Sequence, residues 1–232
     1  LGEAMSEAAH HLASTSYERQ RDEFFKILEG PEPHRGMDDC ERFQVIRSIF
    51  PKLEAQKDIP ASPPHIYPLF RHTLESIHYY HEIIRLIQIG RMPKDFNRAW
   101  CSSLLAILGT FSSRLLEYFS AEITPGRHKY GLALLGALLH DIGKPLTIEI
   151  GVDGRSHYFG HEKVGAELAW EAAKRIQLSN AESDWVKKFV KGHMSLLGWT
   201  HSDEPPTRKS IYRFFKRTGD VGIAISLFSL AD

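Results

Sequence analysis

The sequence predicts an all-α protein: a helical bundle preceded by a helical appendage. Three observations predict it. Apolar residues recur at intervals of three and four along most of the chain. Alternation of the strand kind is confined to one short stretch. No internal repeat or low-complexity tract suggests a solenoid or a disordered region. With 232 residues and 42% hydrophobic content, the chain can bury the core of one large domain, or of one domain with a smaller appendage.

From Ser16 the stretch SYERQRDEFFKILEG reads as a helix, with Ser16 as N-cap, Phe24, Phe25, Ile27 and Leu28 as its apolar side, and Gly30 as its stop. PEPHRG follows as a proline-bearing turn. MDDCERFQVIRSIFP is a second helix, ended by Pro51. The loop KDIPASPPHIYP holds four of the twelve prolines and marks the expected boundary between an N-terminal segment, residues 1–60, and a larger domain, residues 61–232. Helical periodicity then runs through roughly 67–89, 95–119, 129–141, 161–177, 182–197, 207–217 and 219–232. A short hairpin is expected in LTIEIGVDGRSHYFG, where Asp153 and Gly154 supply the turn.

Lys plus Arg equals Asp plus Glu at 29 each, so overall charge marks the chain for neither nucleic acid nor an anionic membrane. A basic binding surface would have to be local. Cys40 and Cys101 lie far apart without CxxC spacing, which argues against a disulfide framework or a thiolate zinc site and for a reducing compartment. No apolar run is expected to reach the 18 to 20 or so residues that span a bilayer, and the start lacks the pattern of a signal peptide. A cytoplasmic protein without membrane contact is expected. Thirteen histidines are many for this length, and some of them are candidate ligands.

Projection at about 100° per residue tests where polar groups point. His72 falls in the arc of Leu69, Ser76, Tyr80, Ile83 and Ile87, whereas His78 and His81 project away from it. His161 shares an arc with Val164, Gly165, Leu168, Ala172 and Ile176. His193 falls with Val186, Phe189, Val190 and Leu197, and Asp232 with Val221, Ile225, Phe228 and Ser229. His140 and Asp141 close GLALLGALLHD, which is apolar nearly all round. Taken singly, a histidine on an apolar face is more often a satisfied core residue than a ligand, and a buried aspartate often caps a helix. Jointly, four imidazoles and two carboxylates make an N/O ligand set suited to a divalent cation. Gly143 is expected to give the chain the freedom to turn there, so that His140 and Asp141 converge.

In chain order, His72, HDIGKP at 140–145, GHEKVGAELA, His193 and the closing LAD resemble the HD superfamily of metal-dependent phosphohydrolases, over about residues 66–232. SYERQRDEFFKILEGPEPHRG, SIFPKLEAQKDIP and HIYPLFRHTLESI extend the resemblance to the HD-containing C-terminal region of tRNA nucleotidyltransferase and poly(A) polymerase-like proteins. The fold implied is an HD-domain helical bundle. No Gly-rich nucleotidyltransferase segment or DxD pair is found, since Asp38 and Asp39 are adjacent on an expected helix. Nucleotide addition is therefore not expected of this chain alone, which reads as a fragment of a longer parent or as a lineage that has the body without the head.

The resemblance implies two divalent ions, of Fe, Mn, Ni, Co, Zn or Mg. His72, His140, Asp141 and Asp232 would hold one, and Asp141 would bridge to a second held by His161 and His193. Such a pair acidifies a shared water and neutralises phosphoryl oxygens. Asp141 and Lys144 are then the catalytic candidates. Lys144 is the candidate for a substrate phosphate, a role weighed evenly against that of a helix-end lysine facing the dipole. Thr147, Arg155, His157 and Tyr158 lie in the loop between two ligand helices and are candidate substrate contacts, each more simply read as solvated loop. Arg71, Arg208, Arg213 and Arg217 are weaker candidates for RNA phosphates, since a charged outer helix face explains them better. The expected activity is phosphomonoesterase or 2′,3′-cyclic phosphodiesterase action on nucleotides or RNA ends. The alternative is the tRNA-binding body of a nucleotidyltransferase with a structural or vestigial metal site.

Overall fold

The computed structural model describes residues 11–62, 66–89, 98–152, 154–200, 202 and 204–232. Asp153, expected in the hairpin turn, and residues 63–65 of the proline-rich loop lie outside these. The N-terminal segment holds α1 (Tyr17–Leu28), α2 (Pro33–Arg42), α3 (Val45–Ile49) and a 3-10 stretch at Pro51–Asp58. The Ser16 hydroxyl accepts from the Arg19 N–H at 3.4 Å, the expected cap. Phe24, Phe25 and Leu28 are buried, but Ile27, expected beside them, is 39% exposed.

PEPHRG is not a turn throughout, because α2 begins at Pro33. Proline is suited to a first helical position, where its missing N–H and fixed φ cost nothing. The second expected helix is also divided, at Gln44, whose φ of 62° lies in the left-handed region.

The larger part contains α4 (Leu69–Ile89), α5 (Arg98–Leu108), α6 (Ser112–Ser120), α7 (Lys129–Leu139), α8 (His161–Arg175), α9 (Asn180–Gly192), α10 (Leu197–Thr200), α11 (Arg208–Thr218) and α12 (Val221–Phe228). The expected hairpin forms as β3 (Glu149–Ile150) and β4 (Ser156–His157), after an antiparallel pair that periodicity did not suggest, β1 (Glu122–Thr124) and β2 (Arg127–His128). Strands of two and three residues are too short to show alternation.

α7 is buried at every position from Gly131 to Leu139, as its all-round apolar sequence requires, and packs between α4 and α9. α8 covers α9. Behind the end of α7, Tyr80, Phe189 and Phe228 pack with ring centroids 5.2 to 6.2 Å apart, and the Tyr80 hydroxyl donates to the Ala224 carbonyl at 2.9 Å. One continuous cluster of buried side chains joins Phe24 and Phe25 of α1 to Leu132 of α7 and Phe228 of α12.

Two expectations are corrected here. His81 was expected to project outward but is 2% exposed, because α4 carries the N-terminal segment on one side and α7 on the other, leaving little solvent face. The run Arg98–Ser120, spanning α5 and α6, is long and apolar enough to cross a membrane, with a mean hydropathy of 1.3 over its best window. Length and composition alone support that reading, and one such helix is weak evidence of a membrane.

Candidate metal centre

Five segments deliver the candidate ligands. His72 lies in the first turn of α4, His140 and Asp141 directly follow α7, His161 opens α8, and His193 directly follows α9. Asp232 lies beyond α12, with its side chain 22% exposed. His72, His140, Asp141, His161 and His193 are all buried.

The close approach of these segments depends on Gly143, though not for the expected reason. Its φ of −83° and ψ of −19° are open to any residue. A Cβ there would instead lie 2.3 Å from the His161 carbonyl oxygen and 2.6 Å from the Gly165 N, so glycine permits backbone-to-backbone contact between the turn after Asp141 and α8.

Asp141 divides its two oxygens between two groups. Oδ2 lies 3.1 Å from His140 Nε2 and 3.6 Å from His72 Nε2, while Oδ1 lies 3.3 Å from His161 Nε2 and 3.7 Å from His193 Nε2. Asp232 joins the first group, its Oδ1 being 3.1 Å from His72 Nε2 and 3.2 Å from His140 Nε2. Among the described residues, neither Asp141 oxygen receives a well-directed hydrogen bond.

The backbone fixes the imidazoles. Nδ1 of His140, His161 and His193 lies 2.7, 2.7 and 2.6 Å from the carbonyl oxygens of Ala137, Tyr158 and Val190. A carbonyl only accepts, so each Nδ1 donates, and each neutral ring is left with a lone pair on Nε2. Nε2 of His161 faces Nε2 of His193 at 3.2 Å, and that of His140 faces that of His72 at 3.4 Å. Lone pairs converging on a buried carboxylate repel one another unless a cation or proton lies between them.

The electrostatics agree. Burial pushes the His193 imidazole down to about 4, helped by the charge of His140. Burial also opposes charge on His140, but Asp141 and Asp232 overcome it and raise that imidazole to about 10. Against their own burial, Asp141 is held well below the usual carboxylate range by His140 and Lys144, and Asp232 by His140 and His72. The cluster therefore attracts positive charge, and the His140 proton supplies part of it. The donor set, imidazole nitrogens with carboxylate oxygens, fits a divalent transition metal.

Lys144, 7% exposed, places Nζ 2.6 Å from Asp141 Oδ2 and 5.4 Å from the centre of the Tyr158 ring. Both residues line a narrow pocket with His72, and so do Pro60, Ser62 and Tyr67, which periodicity could not single out because they lie in an irregular loop. Thr147 turns back to the Gly143 carbonyl at 3.2 Å. Arg155 is exposed next to the β3–β4 arm, and His157 stacks on the exposed Phe159 with the rings 5° from parallel. Arg71 pairs with Glu75 one turn on, and Arg208 and Arg213 are exposed on α11.

Comparison with known proteins gives the context of this geometry. Residues 112–215 match the HD domain family, an interval that includes His140, Asp141, Lys144, His161 and His193. Residues 2–57 match a family described as the probable RNA and SrmB-binding site of polymerase A. An A-adding tRNA nucleotidyltransferase of Deinococcus radiodurans is 25% identical over 206 residues, which is 88% of this chain and 37% of that protein. A CC-adding tRNA nucleotidyltransferase of Thermus thermophilus is 26% identical over 214 residues, 92% of this chain and 38% of that protein. The chain thus spans less than two-fifths of the length of either relative. It carries an HD domain behind a segment of the polymerase A RNA-binding type, and in this it matches the HD-containing region of tRNA nucleotidyltransferase-like proteins.

Proposed function

We propose that this chain is a metal-dependent phosphohydrolase of the HD type, acting on the phosphomonoester or 2′,3′-cyclic phosphodiester of a nucleotide or RNA end. The observation that carries the reading is the division of one buried carboxylate, Asp141, between two groups of facing imidazole Nε2 atoms. His72, His140, Asp141 and Asp232 would hold one divalent ion, and Asp141, His161 and His193 a second. Bound ions would acidify a water and offset the charge of phosphoryl oxygens.

The remaining work falls to the chain. Nδ1 bonds to Ala137, Tyr158 and Val190 hold three imidazoles with Nε2 turned toward Asp141. Lys144 presents its ammonium where the pocket lined by Tyr158 and His72 meets Asp141, so a phosphate oxygen entering there gains a positive partner. Arg155, Thr147 and His157, on and beside the β3–β4 arm, are the proposed outer contacts. Residues 1–60 serve as the RNA-binding appendage and 61–232 as the metal domain, in a cytoplasmic setting that suits two free, buried cysteines.

A second reading is favoured by the comparisons: a tRNA-binding body of a nucleotidyltransferase, with a metal site that is structural. Elemental analysis together with turnover of 2′,3′-cyclic AMP and nucleoside monophosphates separates the two. The first reading expects two ions per chain and turnover in the wild type, with both lost in Asp141→Ala and in the nearly isosteric Asp141→Asn. Hydrolysis of these substrates at an undiminished rate by metal-stripped protein would sink it. Tight binding of tRNA without turnover after Mn, Ni or Mg is supplied would favour the second.

A further inference from the structure

Residues adjoining His161 and His193 in sequence line a second hollow, of about 350 Å³, outside the metal cluster. Glu162 and Lys163 enter it from the first turn of α8, Lys188 and Lys191 from the end of α9, Ser195 from the 3-10 turn that His193 begins, and Arg217 from the end of α11. Four cations thus surround one space with a single carboxylate among them, in a chain whose formal charge is zero.

Ordinary surface chemistry does not account for this concentration. Elsewhere on the same two helices lysines have protein partners: Lys187 pairs with Glu167 at 2.6 Å, and Lys174 bonds the Leu178 carbonyl at 2.8 Å and Asn180 at 3.2 Å. Among the described residues, none of Lys163, Lys188, Lys191 and Arg217 makes an ion pair, and all four are exposed. The helix dipole favours Lys191 and Arg217 in the last turns of α9 and α11. It disfavours Lys163, which stands in the first turn of α8 and lines the same space. Four like charges brought together repel one another, and an anion carrying several charges relieves that repulsion. The volume exceeds what one phosphate needs and suits a nucleotide-sized group.

We infer that this hollow binds consecutive backbone phosphates of an RNA strand, holding it beside the centre built from His161 and His193. The inference rests on the proposal that the substrate is an RNA end. Lys188 and Lys191, one turn apart, meet the strand from one side, and Lys163 and Arg217 from the other two helices. Ser195 supplies a neutral hydroxyl donor.

The test uses 5′-fluorescein-labelled tRNA, titrated by anisotropy in EDTA from 50 to 200 mM KCl, with wild type, Lys188→Ala/Lys191→Ala and Arg217→Ala. Each phosphate contact contributes about 0.7 to 0.9 to the slope of log affinity against log salt, so the double variant is expected to lose roughly 1.5 from that slope and bind about 10-fold more weakly. Arg217→Ala is expected to lose about half as much slope. Its place on a different helix guards against a local folding defect, checked by circular dichroism. Turnover of 2′,3′-cyclic AMP, which has no further backbone phosphate to place in the hollow, stays at the wild-type level.

Unchanged slopes in both variants overturn the inference, as does displacement of the tRNA from the wild type by polyglutamate as effectively as by unlabelled RNA, which would assign the hollow to an acidic protein. Reduced slopes in a protein that hydrolyses no phosphoester uphold the hollow and overturn the phosphohydrolase reading instead.

Discussion

Lys144 shows how one residue changes meaning between sequence and structure. Three positions after Asp141, it could have been a helix-end cation facing the dipole. It is instead buried, with its ammonium 2.6 Å from Asp141 Oδ2 and near the face of Tyr158. A buried lysine beside a carboxylate that also faces imidazoles is a standing counter-charge. A divalent ion held by Asp141 and its neighbouring imidazoles would offset the carboxylate's charge, and the Lys144 ammonium could then meet a phosphoryl oxygen. Lys144→Ala is therefore expected to lower kcat/KM toward 2′,3′-cyclic AMP by about 100-fold, the scale of losing one preorganised donor, while metal content holds. Loss of metal in step with activity would show Lys144 to act through the site's assembly alone. At this scale the helical arc test read the burial of His72, His161 and His193 correctly, because a side chain buried on an amphipathic helix must lie on its apolar side, whereas Asp232, projected with Val221 and Phe228, lies beyond the end of their helix. It misplaced His81, since a projection assumes a solvent face that α4 largely lacks.

Among the elements, the contact between the turn after Asp141 and α8 decides whether the second group of ligands forms. Gly143 and Gly165 meet backbone to backbone, and any Cβ at 143 meets the His161 carbonyl oxygen and the Gly165 N, neither of which a rotamer change can move. Gly143→Ala is expected to cost about 1 to 3 kcal/mol in urea unfolding and to draw His161 away from Asp141, lowering metal content. Gly109→Ala, where a Cβ meets nothing within 4 Å, serves as the control and is expected to leave both unchanged. A Gly143→Ala protein with wild-type stability and metal content would refute the close-approach argument. Sequence could place the glycine at the turn but could not distinguish conformational freedom from lack of room, because the second depends on what packs against it. Helix starts were more legible: Ser179 and Glu182 form a reciprocal capping box, readable as S-x-x-E, that begins α9 at Asn180, two residues before the periodicity suggests. Nothing in periodicity announced β1 and β2, or the short break at Gln44.

Over the whole molecule, the all-α class was readable, but which helices would be neighbours was not, since periodicity marks a buried face without naming its partner. The N-terminal segment is joined to the bundle by a shared core and by contacts such as Arg21 to the Gln177 carbonyl at 3.0 Å, Arg175 to the Ser48 carbonyl at 3.2 Å, and the Arg127 guanidinium 3.7 Å from the centre of the Phe25 ring. His81 sits in this joint. Its Nδ1 lies 2.6 Å from the Tyr130 hydroxyl, and burial, then the charge of Arg85, push its imidazole down to about 4, with the Pro31 backbone opposing them. The unfolded imidazole titrates near 6.5, so between about 4 and 6.5 the unfolded chain binds a proton that the folded one refuses. The contribution of His81 to stability is thus complete above pH 6.5 and declines as pH falls toward 4. From pH 7.5 to 5.5 the loss is about 1.3 kcal/mol, or roughly 3 to 5 °C in Tm for a chain of this size. His34, also lowered by burial and by the charge of His78, adds to the acid sensitivity of the same joint. His81→Gln removes the titrating group but leaves an amide to meet Tyr130, so its melting temperature is expected to fall less steeply over that interval than the wild type's. Equal slopes in the two proteins, measured by circular dichroism at pH 7.5, 6.5 and 5.5, would place the acid sensitivity elsewhere.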